Sequence, residues 1–135
     1  WQINDILNQM PTPTHLRDIA DLASEAGVSS RTIRYYGELG LLDIEARGPG
    51  GRRLYGEDAL ERLLFITRLK HLGMTLEEIG NLNHAFDRGQ TSAMLTHLDD
   101  LLKTRLAEVA ERQAELVQLD AELRDYHERI REKMA

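Results

Sequence analysis

Cysteine is absent from the 135 residues, and its absence excludes several kinds of site. A chain without thiols can form no disulfide, no thiolate metal site, no cysteine nucleophile and no thiol redox sensor. Long apolar runs are absent as well, since none reaches the ~18 consecutive residues that a membrane helix needs. No signal segment opens the chain. We therefore expect a cytoplasmic protein with no membrane partner.

Aromatic residues and positive charge are also scarce. Phe, Trp and Tyr make up 5% of the chain, and the formal net charge is -6. Proteins that coat nucleic acid by bulk charge are basic, so a nucleic-acid surface here must be local. The acidity is concentrated in residues 75–135, which carry eight basic against thirteen acidic side chains. By contrast, residues 46–56 hold three arginines and no acid, which makes them a small basic segment.

Apolar spacing predicts a pair of short helices near the start of the chain. From Leu16 the apolar residues recur at helical intervals until Gly27, where a left-handed glycine would end the helix. Ser29 or Ser30 is a suitable N-cap for a second helix, which Gly40 ends. These signals indicate a helix-turn-helix.

A glycine-rich loop and a second helix pair follow. Between residues 40 and 56 no helical period is present, and Gly-Pro-Gly-Gly at 48–51 separates two apolar segments. This pattern predicts two short strands joined by a loop. A further helix is expected from Gly56 to Gly73, and Thr75-x-x-Glu78 has the pattern of a capping box at the start of the next one.

The last 44 residues differ in kind from the rest. They contain no glycine or proline, and apolar residues recur every seven positions, as in a coiled coil. Arg105, Arg112 and Lys133 interrupt the second apolar position, so the seam is imperfect and antiparallel or bent. At 1.5 Å per residue this helix would be roughly 65 Å long, and it needs a partner helix. The predicted dimerisation residues are Leu95, Leu98, Leu102, Val109, Leu116, Leu119, Leu123 and Ile130.

An ordered set of motifs resembles the MerR family of bacterial transcription regulators. The family signature corresponds to GVSSRTIRYY at 27–36, GLL at 40–42 and RLY at 53–55. The resemblance continues through the second helix pair and covers residues 16 to about 84. Two departures are Gly37, where the family usually has an acidic residue, and the loop at 48–51, which differs from the usual wing.

The resemblance and the residue types together predict a DNA-contacting surface on the second helix and the wing. A recognition helix places polar side chains on base edges and phosphates, and a wing arginine can reach a flanking backbone or minor groove. The predicted contacts are Ser30, Arg31, Thr32, Arg34, Tyr35, Tyr36, Arg47, Arg52, Arg53 and Tyr55. The alternatives are a solvated helix face for the arginines and core packing for Tyr35 and Tyr36. Tyr36 shares a face with Ile33 and is the residue that we most expect to be buried.

Motifs for other chemistry are weak or missing. No two histidines stand four residues apart or at another close metal-ligand spacing. The chain has no phosphate loop, nucleophile elbow or zinc-protease motif. We therefore expect no enzyme, no catalytic residue, no metal site and no cofactor.

These observations lead to one interpretation and two alternatives. We predict a mainly α fold, with a winged helix-turn-helix at 16–84 and an antiparallel coiled-coil dimerisation helix at 92–135. A lead-in at 1–15 and a linker at 85–91 complete the domain organisation. The resemblance implies a homodimeric regulator that binds an inverted repeat in double-stranded promoter DNA, bends and untwists it, and works with RNA polymerase. The alternatives are an architectural DNA-binding protein and a coiled-coil interaction module without DNA binding. Any small-molecule effector is left open.

Overall fold

The computed structural model describes residues 15–135, so the predicted lead-in lies outside the described residues except for His15. The fold is mainly helical, with a two-strand wing and a long C-terminal helix, which confirms the predicted fold class. The described residues up to Met94 form one compact unit and Leu95–Ala135 form a second. Within residues 15–135, no helix combines the length and the apolar character needed to cross a bilayer.

The first two helices form the predicted helix-turn-helix. Helix α1 spans Ile19–Ala26 and helix α2 spans Ser30–Glu38. Gly27 separates them with φ 71°, a left-handed conformation that glycine adopts without strain. Ser29 is the N-cap of α2, because its hydroxyl accepts a hydrogen bond from a backbone N–H of the first turn.

Helix α1 begins later than the sequence predicted. The apolar pattern placed its start at Leu16, but the first helical residue is Ile19. Asp18 sets this boundary because its carboxylate accepts a 2.9 Å hydrogen bond from the Asp21 amide. This N–H belongs to the first turn and has no carbonyl partner within the helix. Arg17 is extended and pairs with Tyr55 in an antiparallel bridge.

The wing is a short antiparallel hairpin. Strand β1 is Ala46–Arg47 and strand β2 is Arg53–Leu54, with Ala46 opposite Leu54 and Arg47 opposite Arg53. A 3-10 turn at Pro49–Gly51 connects them. The two predicted strands are thus confirmed, but each has only two residues. The preceding Leu41 and Leu42 are buried in the core instead of extending β1.

The second helix pair completes the N-terminal unit. Helix α3 spans Glu57–His71 and helix α4 spans Leu76–Asp87, so α4 extends three residues into the predicted linker. The predicted capping box is present. The Thr75 hydroxyl accepts from the Glu78 amide at 3.1 Å, and the Glu78 carboxylate accepts from the Thr75 amide at 2.9 Å.

The apolar core of the N-terminal unit holds helix α2 in place. Ile33 is completely buried and Tyr36 nearly so, which turns the opposite face of α2 toward solvent. Gly37 lies inside α2 without breaking it. The largest fully buried side chains of the described residues are Leu22, Ile33, Leu63, Ile66, Met74, Ile79, Leu82 and Met94.

Helix α5 spans Thr91–Met134 and is 44 residues long. Most of its predicted seam lies exposed in the single chain, namely Leu95, Val109, Leu116, Leu119, Leu123 and Ile130. Leu102 is half-buried. Leu98 differs from the others because it is already buried within the chain. The exposed apolar row is what an unpaired coiled-coil helix presents.

Candidate nucleic-acid interface

The exposed face of α2 carries the first part of the candidate interface. Arg31, Arg34 and Tyr35 are exposed and line an open groove of about 530 Å³ together with Thr32 and Glu38. Within residues 15–135, no salt bridge engages either arginine. The two guanidinium groups can therefore donate to an external acceptor, in the planar geometry that suits phosphates and guanine edges.

The start of α2 is held rigidly by its cap. The Ser29 hydroxyl lies 2.9 Å from the Thr32 hydroxyl and also accepts from the Thr32 amide at 3.0 Å. Ser30 and Thr32 are half-buried. Both residues belong to the first turn of α2, where backbone N–H groups favour anions.

A second groove joins α2 to the wing. Its volume is about 260 Å³, and its lining includes Arg34 of α2 and Arg53 of β2, together with Tyr55 and the carboxylates of Glu38 and Asp43. Arg34 lines this groove as well as the first one. The helix and the wing thus contribute one arginine each to a continuous surface, although the two residues are far apart in sequence.

Tyr55 lies among three arginines. Burial raises the pKa of the Tyr55 phenol, while the positive charges of Arg53, Arg34 and Arg47 act in the opposite direction. The net effect is a raised pKa, so the hydroxyl remains a neutral donor. Three guanidinium groups therefore act on the Tyr55 hydroxyl, in a chain whose formal net charge is -6.

Two predicted contact residues lie mainly in the core. Tyr36 is 8% exposed and Tyr55 is 3% exposed. Tyr36 was expected to be buried. Tyr55 was not, and its ring packs in the core while the residue lines the Arg34–Arg53 groove. The exposed set of contact candidates is therefore smaller than the predicted one.

The wing arginines have different surroundings. Arg47 donates from Nη1 to the Gly51 carbonyl at 2.7 Å, which braces the turn of the wing. Arg52 lies 3.7 Å from the Asp18 carboxylate. Arg53 is exposed and has no salt bridge within the described part of the chain. Among the wing arginines, Arg53 is thus the one whose side chain has no hydrogen bond or ion pair within residues 15–135.

An acidic groove limits the candidate interface. It shares Leu42, Asp43 and Ile44 with the Arg34–Arg53 groove, and three further carboxylates line it: Glu45, Asp58 and Asp87. Arg62 is already paired there with Asp87 through two hydrogen bonds of 2.7 and 3.1 Å. Phosphates would be repelled from this side. Across residues 15–135, no three acidic or histidine side chains are grouped so as to hold a metal ion.

The predicted site residues did not include Arg17 and Asp18, which connect the helix-turn-helix to the wing. Arg17 is buried and bridges to the backbone of Tyr55. Asp18 caps α1 and faces Arg52. Asp18 could have been identified as an N-cap from its residue type. No sequence signal marked Arg17, because arginine is rarely buried.

Two family models match the chain. One is described as MerR HTH family regulatory protein and matches residues 18–85. The other is described as MerR, DNA binding, and matches residues 60–126. The mercuric resistance operon regulatory protein of Bacillus cereus is 34% identical over 114 residues, which cover 84% of this chain and 85% of that protein.

Solved structures agree with these matches. A Listeria monocytogenes protein assigned to the MerR family of transcriptional regulators superimposes with a TM-score of 0.70 at 25% identity, covering 82% of this chain and 85% of that one. HiNmlR, a MerR family regulator lacking the sensor domain and bound to promoter DNA, gives a TM-score of 0.63 at 26% identity. That match covers 76% of this chain and 79% of HiNmlR.

Proposed function

The chain belongs to the MerR family of DNA-binding transcription regulators, and from this premise we propose that two copies bind an inverted-repeat promoter site and bend and untwist the DNA between its half-sites. The observation that carries the proposal is the convergence of Arg34 and Arg53 on one groove between α2 and the wing. A helix and a wing that present unpaired arginines side by side can follow a DNA groove and its flanking backbone together.

The proposed contacts divide by chemistry. Arg31, Arg34 and Tyr35 stand on the open face of α2, where side chains can reach base edges in the major groove. Arg52 and Arg53 stand on the wing, which suits phosphates or a narrow minor groove. Arg47 supports the turn through Gly51, while the buried Tyr36 and Tyr55 hold α2 and the wing in place. Ser30 and Thr32 would bind phosphate at the start of α2.

A homodimer is part of the proposal. The exposed apolar row on α5 leaves several leucines in water in the single chain, and pairing with a second α5 would remove them from it. Because Leu98 is already buried, the proposed seam consists of the remaining positions. A twofold dimer presents two recognition helices and two wings, and this matches a site with inverted-repeat symmetry.

RNA polymerase is the further partner that we propose, since a regulator that realigns promoter elements acts through the enzyme that reads them. The family and its relatives are transcription regulators and not enzymes. These activities require double-stranded promoter DNA in the same compartment, so we place the protein in the cytoplasm.

The name of the Bacillus cereus relative refers to mercury, but the present chain lacks the thiolates that usually bind mercuric ion. Mercuric ion is a soft metal that binds thiolates, and these 135 residues contain no cysteine. The proposal therefore covers DNA binding and dimerisation without a soft-metal effector.

The decisive experiment is selection of duplexes from a random-sequence pool by the purified protein, followed by hydroxyl-radical footprinting. We expect two protected half-sites related by a twofold axis, with distorted DNA between them. Transcription from a promoter that carries the selected site should then depend on the protein. Binding and bending without any effect on transcription would favour the architectural alternative. Weak, salt-insensitive retention of every duplex would favour the coiled-coil interaction module.

A further inference from the structure

Arg17 joins the wing to the helix-turn-helix, and none of the proposed DNA contacts uses it. The residue precedes α1 and is 3% exposed. Its backbone N–H donates to the Tyr55 carbonyl at 2.9 Å, and its carbonyl accepts from the Tyr55 N–H at 2.8 Å. Since Tyr55 directly follows β2, this pair of hydrogen bonds fixes the point where the chain leaves the wing.

The side chain of Arg17 extends the junction to two helices. Its Nη2 donates to Oε1 of Glu57 at 2.7 Å, and Glu57 is the first residue of α3. Its Nε forms an ion pair with Glu25, near the end of α1. The guanidinium group therefore connects α1 with α3, while the backbone of the same residue holds Tyr55 at the base of the wing.

Stability alone does not account for a guanidinium group in this place. Within the described residues, Nε and Nη1 of Arg17 are buried without a hydrogen-bond partner, and Nε meets Glu25 as an ion pair only. A buried charge loses its hydration, and apolar side chains of similar volume often stabilise a protein as well as a buried ion pair does. The energy of an ion pair depends on the distance and orientation of its two partners, whereas apolar packing is not directional. Arg17 thus defines a geometry between three elements.

The neighbouring contact between Asp18 and Arg52 is much weaker. Its atoms are 3.7 Å apart, and the Arg52 side chain is more than half exposed. Exposed pairs of this kind contribute little. Of the two arginines near the base of the wing, Arg17 therefore makes the stronger ion pairs.

We propose that Arg17 is a positioning residue for DNA binding, which holds the wing at the orientation where Arg53 and Arg34 line one groove. The inference rests on the proposed function. It adds that the orientation of the wing is fixed by Arg17, a residue before α1 whose side chain does not contact DNA.

The first test measures the wing directly and requires no DNA. Because the chain has no native cysteine, Ser24→Cys on α1 and Pro49→Cys on the wing provide unique sites for two spin labels. Electron–electron distance measurements on labelled chains diluted with unlabelled protein should give one narrow distribution. Arg17→Met, which retains the volume and removes both ion pairs, should broaden or shift it. An unchanged distribution in Arg17→Met would overturn the inference.

The second test asks whether Arg17 acts through the wing. The probe is a duplex that the wild-type protein selects from a random-sequence pool. We expect Arg17→Met to weaken binding by about tenfold in the wild-type and Arg31→Ala backgrounds, but by less than about twofold when Arg53 is already Ala. Equal losses in the Arg31→Ala and Arg53→Ala backgrounds would indicate a general structural role and contradict the inference.

A second variant keeps both tests decisive if Arg17→Met does not fold. Glu57→Gln preserves the size of a partly exposed side chain and weakens its pairing with Arg17. It should broaden the same distance distribution and show the same dependence on Arg53, with a smaller loss. If the wild-type protein binds no duplex, the proposed function fails, whereas the distance measurement still decides whether Arg17 positions the wing.

Discussion

Arginines of the candidate interface should fall into two functional groups. If Arg53 binds a phosphate, Arg53→Ala should weaken binding to all sequences alike and lower the salt slope by about one counterion per contact and subunit. If Arg34 contacts a base, Arg34→Ala should cost about 1 to 3 kcal/mol at one base position per half-site. Binding isotherms at several salt concentrations, with matched and mismatched duplexes, separate the two effects. Arg88→Ala, outside the candidate interface, is the control.

Asp18 offers a substitution that changes charge without changing structure. Asparagine keeps the side-chain oxygen that caps α1, so Asp18→Asn should leave the melting temperature unchanged. It removes a negative charge 3.7 Å from Arg52, next to the proposed phosphate contacts. We expect a roughly two- to threefold gain in affinity for every duplex, specific or not. Weaker binding would show that Asp18 orients Arg52. Asp18→Ala is the matched comparison, because it should also lose about 0.5 to 2 kcal/mol of stability.

Individual residues show where sequence analysis succeeds and where it stops. Exposure of Arg31 and Arg34 and burial of Tyr36 followed from helical spacing, since Ile33 and Tyr36 lie on one face of α2. The burial of Tyr55 and Arg17 did not. Both depend on a bridge between segments about 40 residues apart, and local spacing carries no information about such a pair.

At the level of elements, the capping box at the start of α4 provides a direct stability test. Thr75→Ala removes the acceptor of the 3.1 Å hydrogen bond from the Glu78 amide and leaves a donor of the first turn unpaired. We expect a loss of about 1 kcal/mol in the free energy of unfolding, measured by thermal or urea denaturation.

Thr104→Ala is the matched control for this substitution. Its hydroxyl donates to the Asp100 carbonyl inside α5, where the backbone hydrogen bonds already exist. Alanine is the better helix former, so this variant should not be destabilised. An equal loss in both variants would show that the capping box contributes nothing specific.

Helix ends were predictable where residues within one turn of the end determine them. Gly27, Ser29 and the Thr75–Glu78 box each mark a boundary through a single turn of backbone, and the structure has all three. The strands of the wing were predicted in position but not in length. Their two-residue ladder depends on which residues find partners across the hairpin, and Leu41 and Leu42 gain more by entering the core.

At the scale of the whole molecule, assembly should depend on the heptad seam of α5. Leu116 is 57% exposed in the single chain and Val117 is 71% exposed, but only Leu116 lies on the seam. Leu116→Glu would place an unpaired charge in the dimer interface and should give monomers in sedimentation experiments. Val117→Glu should remain dimeric. Dissociation of both variants, or of neither, would refute the proposed seam.

The absence of thiols gives a prediction for the entire chain. Mercuric ion, copper(I) and a superoxide generator should leave DNA binding unchanged, because thiolates supply the soft ligands and the redox chemistry of such sensors. Calorimetry with the purified protein checks this for the metals. The Ser24→Cys variant serves as the positive control. Tight stoichiometric binding by the wild-type chain would point to histidine and carboxylate ligands instead.

The exposed leucines of α5 have a consequence for gene dosage. One chain has one recognition helix and one wing, so a lone chain can read half of an inverted repeat. If α5 pairs only with a second copy, the dimer concentration varies with the square of the monomer concentration below the dimer dissociation constant. Halving the chain concentration then leaves about a quarter of the dimers. Operator occupancy would then respond more steeply than protein abundance. A cell could set the threshold of this regulator through its rate of synthesis, without any small molecule.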